Sequence, residues 1–164
     1  MGRVTILFDC QELSKKNCIF TRFKRQTRIL ITAEKKTGLI LSRSLQEGYA
    51  YLNIGRELSS ALQSENIELP SFSIKALDYL REILNSGIKT DAQGRQYLAI
   101  DNFSILFEPA LKINLRAIIE AYAKQYLLLL RITNSLQGAN TYYPFPEDKT
   151  YKLDFSGLSP ITLE

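Results

Sequence analysis

The sequence predicts an α/β fold: a three-layer domain built around a mainly parallel sheet. Three observations lead there. Apolar segments of strand length alternate with amphipathic segments of helix length, the pattern of β-α-β units. Tyr126–Thr133 (YLLLLRIT) is almost continuously apolar, as expected for a strand covered on both faces. Tyr97–Ile100 is a second apolar run, and it delivers an acid, Asp101, at its carboxyl end.

Element by element, Val4–Phe8 is a short apolar piece that opens a polar, basic arm reaching residue 26. Arg28–Thr32 reads as the first buried strand. Gly38–Gln46 follows as a helix, closed by Gly48 as its C-cap. Tyr49–Asn53 is a second short strand. Ile54–Gln63 places Ile54, Leu58, Ala61 and Leu62 on one helical face. Leu69-Pro70-Ser71 breaks the pattern, with Ser71 or Ser73 available as an N-cap. Ser73–Leu84 then sets Leu77, Leu80 and Leu84 on one face. Asn85–Gln96 reads as a loop before the strand Tyr97–Ile100. Pro109 marks a helix start, and Leu111, Leu115, Ile118, Ile119 and Tyr122 form the most regular helical stripe in the chain. Tyr126–Thr133 is the next strand, Gln137–Asn140 a turn, Thr141–Pro146 irregular or edge structure, and Tyr151–Phe155 a last strand. The expected organisation is a basic segment, 1–27, ahead of a single α/β domain, 28–164.

Composition narrows the chemistry. The 164 residues suffice for one domain with its own core, and no apolar run reaches the roughly 18 residues of a bilayer span. The chain opens without a long apolar leader core, so a cytoplasmic protein with no membrane partner is expected. Cys10 and Cys18 suggest no disulfide framework. The absence of histidine removes Ser-His and Cys-His nucleophiles and histidine zinc sites. What remains is chemistry by carboxylates, Lys, Arg, Tyr or a bound metal. Residues 1–28 hold seven basic side chains against Asp9 and Glu12, whereas the remainder holds fourteen basic and fifteen acidic. The basic character is therefore local, and it suits contact with nucleic acid or an acidic partner.

A strand ending in Asp is how P-loop nucleoside triphosphatases set a Walker-B acid beside magnesium-bound phosphate; Asp101 occupies that place, followed by Asn102. Lys36-Thr37 stands where the Lys-Thr pair of a phosphate loop would sit. Such a loop needs glycines so that backbone N–H groups curl round the phosphates, yet Ala33-Glu34-Lys35-Lys36 contains none. The sequence thus suggests the frame of a nucleotide-binding domain with its phosphate loop shortened. The plainer alternatives are a tight turn with solvated lysines, and an Asp101-Asn102 pair that only caps and turns the chain. Thr133-Asn134 ends the next apolar strand, where related ATPases carry a polar γ-phosphate sensor. Arg22, Lys24, Arg25 and Arg28 intermix with Phe20 and Phe23, a combination fit for phosphate contacts with base stacking and equally for an ordinary solvated face. Tyr142, Tyr143, Phe145 and Tyr151 suit either a protein-binding surface or packing at the sheet edge.

Tyr51–Leu62 (YLNIGRELSSAL), Ala99–Leu111 (AIDNFSILFEPAL) and, more loosely, Tyr142–Tyr151 (YYPFPEDKTY) together resemble the small P-loop protein of bacteriophage-exclusion (BREX) type phage-defence clusters. The resemblance covers roughly residues 28–155. It implies a P-loop-NTPase-like fold, with Lys36 and Thr37 as the Walker-A pair and Asp101 as the Walker-B acid. The family's glycines are missing, which implies a degenerate member that keeps the scaffold without hydrolysis. The expected role is a non-catalytic subunit of an anti-phage defence complex, with other subunits as partners and no cofactor. One alternative is a weak ATP-binding switch or ATPase that uses ATP and Mg²⁺ through Lys36, Thr37, Asp101 and Asn134. The other is a module that binds DNA or RNA through Arg22, Lys24, Arg25 and Arg28.

Overall fold

The computed structural model describes residues 29–33, 49–65, 68–133, 136–138 and 140–163. The expected arm over 4–26 and the expected helix Gly38–Gln46 lie outside them. In chain order the elements are β1 (Ile29–Ala33), β2 (Tyr51–Asn53), α1 (Ile54–Gln63), α2 (Phe72–Ser86), β3 (Lys89–Thr90), β4 (Gln96–Asp101), α3 (Leu115–Ala123), β5 (Leu127–Ile132), β6 (Thr141–Tyr142), β7 (Leu153–Asp154) and β8 (Ile161–Leu163). Three single 3-10 turns, Leu69–Ser71, Ser104–Phe107 and Pro109–Leu111, join them.

The main sheet runs β2-β4-β5-β1-β8, and every one of these neighbours is parallel. β3 adds an antiparallel pair to the first residues of β4. After β1 the chain goes to β2 at the far edge, returns strand by strand through β4 to β5, and then passes β1 to reach β8. The direction of travel therefore reverses between the adjacent strands β1 and β5. In open α/β sheets that reversal, at the carboxyl ends of the strands, is where ligand crevices form.

Period-2 alternation splits the strand side chains cleanly between two faces. Ile29, Ile31, Leu98, Ile100, Leu128, Leu130 and Ile132 enter one apolar cluster with Ile54 and Leu58 of α1, Ala76, Leu80 and Leu84 of α2, and Leu115 and Ile119 of α3. Leu30, Tyr97, Ala99 and Leu129 form the second cluster, flanked by Tyr49, Tyr51 and Leu127. Both faces are buried, as a three-layer arrangement requires. Full burial of each large aliphatic chain contributes about 1.5–3 kcal/mol, so the central strands β4 and β5 anchor the domain. No described helix is long and apolar enough to cross a membrane.

Asparagine side chains cap α1 and α3, whereas Ser71, at the head of α2, makes no capping hydrogen bond and donates its Oγ to the Glu68 carbonyl instead. Asn53 Oδ1 accepts from the Arg56 N–H at 2.9 Å and opens α1. α2 buries Ala76, Leu80 and Leu84, so its inward ridge runs through Ala76 rather than Leu77. The third helix begins later than Pro109. Pro109–Leu111 makes only a 3-10 turn, Lys112 then adopts a left-handed backbone (φ 51°), and Asn114 Oδ1 caps Ala117 N–H at 3.1 Å to open α3. The segment Asn85–Gln96 is more ordered than a loop: α2 runs on to Ser86, and β3 folds back on β4 around Asp91. Asp91 accepts at 2.9 Å from each of Gln93 N–H, Arg95 N–H and Arg95 Nε. Within Tyr151–Phe155, β7 pairs antiparallel with β6 in a separate two-stranded ribbon. The strand that completes the main sheet is instead β8.

Candidate functional site

The carboxyl ends of β2, β4 and β5 bring Tyr51, Asn53, Asp101, Asn102 and Arg131 together. Register does the assembling. Asn53 lies opposite Asp101 across the β2–β4 pair, and Ile100 lies opposite Leu130, which puts Asp101 beside Arg131. Tyr51, Asp101 and Arg131 follow the alternation of Ala99 and Leu129, so all three belong to the face of the second cluster.

Arg131 Nη1 donates to Asp101 Oδ2 at 2.8 Å, with the two side chains 19% and 29% exposed. The Arg131 guanidinium carbon also stands 3.9 Å from the centroid of the Tyr51 ring, a cation–π contact of about 0.5–2 kcal/mol. The other carboxylate oxygen, Asp101 Oδ1, accepts from the Asn102 N–H at 2.7 Å. Asn102 has a left-handed backbone (φ 49°), a conformation Asn tolerates better than most residues. That turn aims Asn102 Nδ2 at Asn53 Oδ1, 3.0 Å away. The Asn102 carbonyl accepts from Gly55 N–H at 2.8 Å. The end of β4 is thereby tied to the first turn of α1.

Of the residues expected to bind nucleotide, only Asp101 falls among the described ones. Lys36, Thr37 and Asn134 lie outside them, as do Arg22, Lys24, Arg25 and Arg28. Thr133 Oγ1 shares a hydrogen bond with Tyr142 Oη at 3.1 Å. No motif in the sequence marks Arg131, Tyr51, Asn53 or Gly55 as site residues. Arg131 had a signal: it is the single charge inside the apolar run LLLLRI.

The arrangement gives Asp101 a side-chain partner, Arg131. Both Asp101 oxygens accept hydrogen bonds, one from the Asn102 N–H and one from a guanidinium, and each oxygen keeps a further lone pair. The charge of Asp101 is met by Arg131, and the pair holds the ends of β4 and β5 together.

Tyr142 is buried, while Phe145 is 44% exposed and meets Tyr151 edge-on, centroids 5.7 Å apart. Lys149 Nζ lies 4.3 Å from the Tyr143 ring centroid. The expected aromatic surface thus divides: Tyr142 joins the core, Phe145 is exposed against a half-buried Tyr151, and Tyr143, also half-buried, lies under Lys149. Comparison with protein-family models, with curated proteins and with solved structures gives no match to this chain.

Proposed function

We propose that the chain is a P-loop-like α/β subunit without metal-assisted hydrolysis, serving an anti-phage defence complex through protein contacts. The observation that carries the non-catalytic reading is the Asp101–Arg131 pair at 2.8 Å. A guanidinium partner for that carboxylate supports a structural role for it, joining β4 to β5. The glycine-free stretch Ala33–Lys36 supports the same reading from sequence, and the reversal of strand order between β1 and β5 supports descent from a ligand-binding sheet. Phe145, exposed and packed edge-on against the half-buried Tyr151, is an aromatic side chain of the type that protein interfaces use. The defence assignment rests on the sequence resemblance.

The test is ATP hydrolysis by the purified chain with Mg²⁺, against Lys36→Ala. The proposal expects no phosphate release above the blank in either protein. Hydrolysis that Lys36→Ala abolishes would overturn it. A second reading, an ATP-binding switch, draws on the same strand-order reversal. Its mark is nucleotide binding that requires Mg²⁺ and is lost in Asp101→Ala.

A further inference from the structure

We propose that residues 34–48, the connection from β1 to β2, dock on the second face of the main sheet and complete its core. That face carries Leu30, Tyr97, Ala99 and Leu129, with Tyr49, Tyr51 and Leu127 beside them. Leu30, Ala99 and Leu129 are only 4%, 0% and 0% exposed. Yet the described helices turn their buried side chains to the other face. Ile54 and Leu58 of α1, Ala76, Leu80 and Leu84 of α2, and Leu115 and Ile119 of α3 all belong to the first cluster. Among the described residues, no helix contributes to the second.

The hand of the chain names the cover. The connections from β2 to β4 and from β4 to β5 step across the sheet in one direction between parallel strands. Their helices lie on the first face. Such connections are right-handed in about 98% of cases. The step from β1 to β2 also joins parallel strands, but it runs in the opposite direction. Two connections of one hand that travel in opposite directions lie on opposite faces. The step from β1 to β2 therefore crosses the second face. The connection from β5 to β8 is a check, because it travels in the first direction. Its Tyr142, Leu153 and Phe155 indeed join the first cluster.

Length and composition agree. β2 lies three strand spacings from β1, about 14 Å. Fifteen residues, at up to about 3.3 Å each, cover that distance and the return along the strands. Leu39, Ile40, Leu41 and Leu45 are the large apolar residues of the segment, and the second face offers them apolar partners. Residues 1–28 enter β1 from its other end, and no rule of chain travel assigns them a face.

The experiment is a set of double-mutant cycles on the full chain, read as urea-unfolding midpoints. Leu129→Ala and Leu30→Ala trim the second face, while Leu39→Ala, Ile40→Ala, Leu41→Ala and Leu45→Ala trim the segment. At least one segment variant is expected to lose clearly less midpoint in the Leu129→Ala or Leu30→Ala background than in wild type, since residues in contact are not additive. The same variant is expected to be additive with Leu58→Ala, which lies on the other face. Leu129→Val and Leu30→Val replace any alanine variant that does not fold. Additivity of all four segment variants with both face variants overturns the proposal, as does coupling to Leu58→Ala alone. Coupling of Ile6→Ala or Leu7→Ala to Leu129→Ala, with none from the segment, overturns it in favour of the N-terminal arm. A midpoint that rises with protein concentration, again with no coupling from the segment, overturns it in favour of a second copy of the chain.

Discussion

Gly55 and Asn102 lie so close that no side chain fits between them. The Gly55 N–H donates to the Asn102 carbonyl at 2.8 Å, and a Cβ on Gly55 would stand 2.6 Å from Asn102 Nδ2 and 2.8 Å from its carbonyl oxygen. Glycine here serves close approach rather than an unusual backbone angle. The contact lets Asn53 do two jobs with one oxygen, capping α1 through Arg56 N–H and receiving Asn102 Nδ2. The corner where β2 becomes α1 thus fixes the turn that follows Asp101.

Gly55→Ala is expected to destabilise the chain even though alanine favours helices by about 1 kcal/mol over glycine. The backbone oxygen of Asn102 cannot yield without breaking its hydrogen bond, so overpacking of about 1–3 kcal/mol prevails. Asn53→Ala should lose about 1 kcal/mol of capping and leave Asn102 Nδ2 without its partner. Thermal unfolding of both variants measures this, and a Gly55→Ala protein as stable as wild type would contradict the contact.

The Asp101–Arg131 pair should show coupling in a double-mutant cycle. Asp101→Asn and Arg131→Met each disturb one partner, and the double variant should recover part of the loss, with a coupling of about 0.5–3 kcal/mol. Because both side chains are mostly buried, the coupling should persist at high salt better than that of an exposed pair. Urea unfolding of the four proteins at two salt concentrations checks it. A coupling near zero would mean that the pair holds neither strand.

Much of the sheet was legible because buried parallel strands are apolar on both faces. Tyr97–Ile100 and Tyr126–Thr133 stand out in the sequence without any knowledge of their neighbours. The start of α3 was hidden because Pro109 opens a turn that Lys112 ends, and the helix waits for the Asn114 cap. β8 was missed because a short edge strand is defined by its partner β1, not by its own three residues. At the candidate site, Asp101 was visible as an acid at a strand end. Its partner lies 30 residues away and is chosen by β4–β5 register, which no local pattern encodes.

Arg116 should control the order of the ribbon's last turn. Its guanidinium donates to the carbonyls of Asp154 and Ser156, while Asp154 Oδ1 accepts from Ser156 N–H and Oγ at 2.8 and 2.6 Å. Those bonds from Ser156 hold the Asp154 carboxyl below its ordinary range. Arg116→Ala should cost about 1.5–3 kcal/mol through two charged hydrogen bonds. Arg116→Lys recovers little, since one ammonium cannot reproduce the fork. Hydrogen exchange at the Phe155 amide, bonded to Asn140 O at 2.8 Å, should quicken in both variants, and unchanged exchange would dismiss the clamp.

Tyr49 should make the chain sensitive to alkali. Its ring meets Tyr97 edge-on at 4.7 Å, and Tyr97 Oη accepts from the Ala50 N–H at 3.1 Å. Burial, helped by the nearby Asp91 carboxylate and opposed by Arg95, pushes the Tyr49 phenol up from 10.0 to about 12. The unfolded chain therefore releases this proton first. The contribution of Tyr49 is fully present below about pH 10 and is lost as pH rises through about 12. Tyr122, raised mainly by burial, and Tyr79, raised mainly by its hydrogen bond to Glu65, act in the same direction. Tyr49→Phe should accordingly flatten the fall in stability between about pH 10 and 12 without abolishing it. Urea unfolding across that range tests this, and a slope identical to wild type would place the Tyr49 phenol in water rather than against Tyr97.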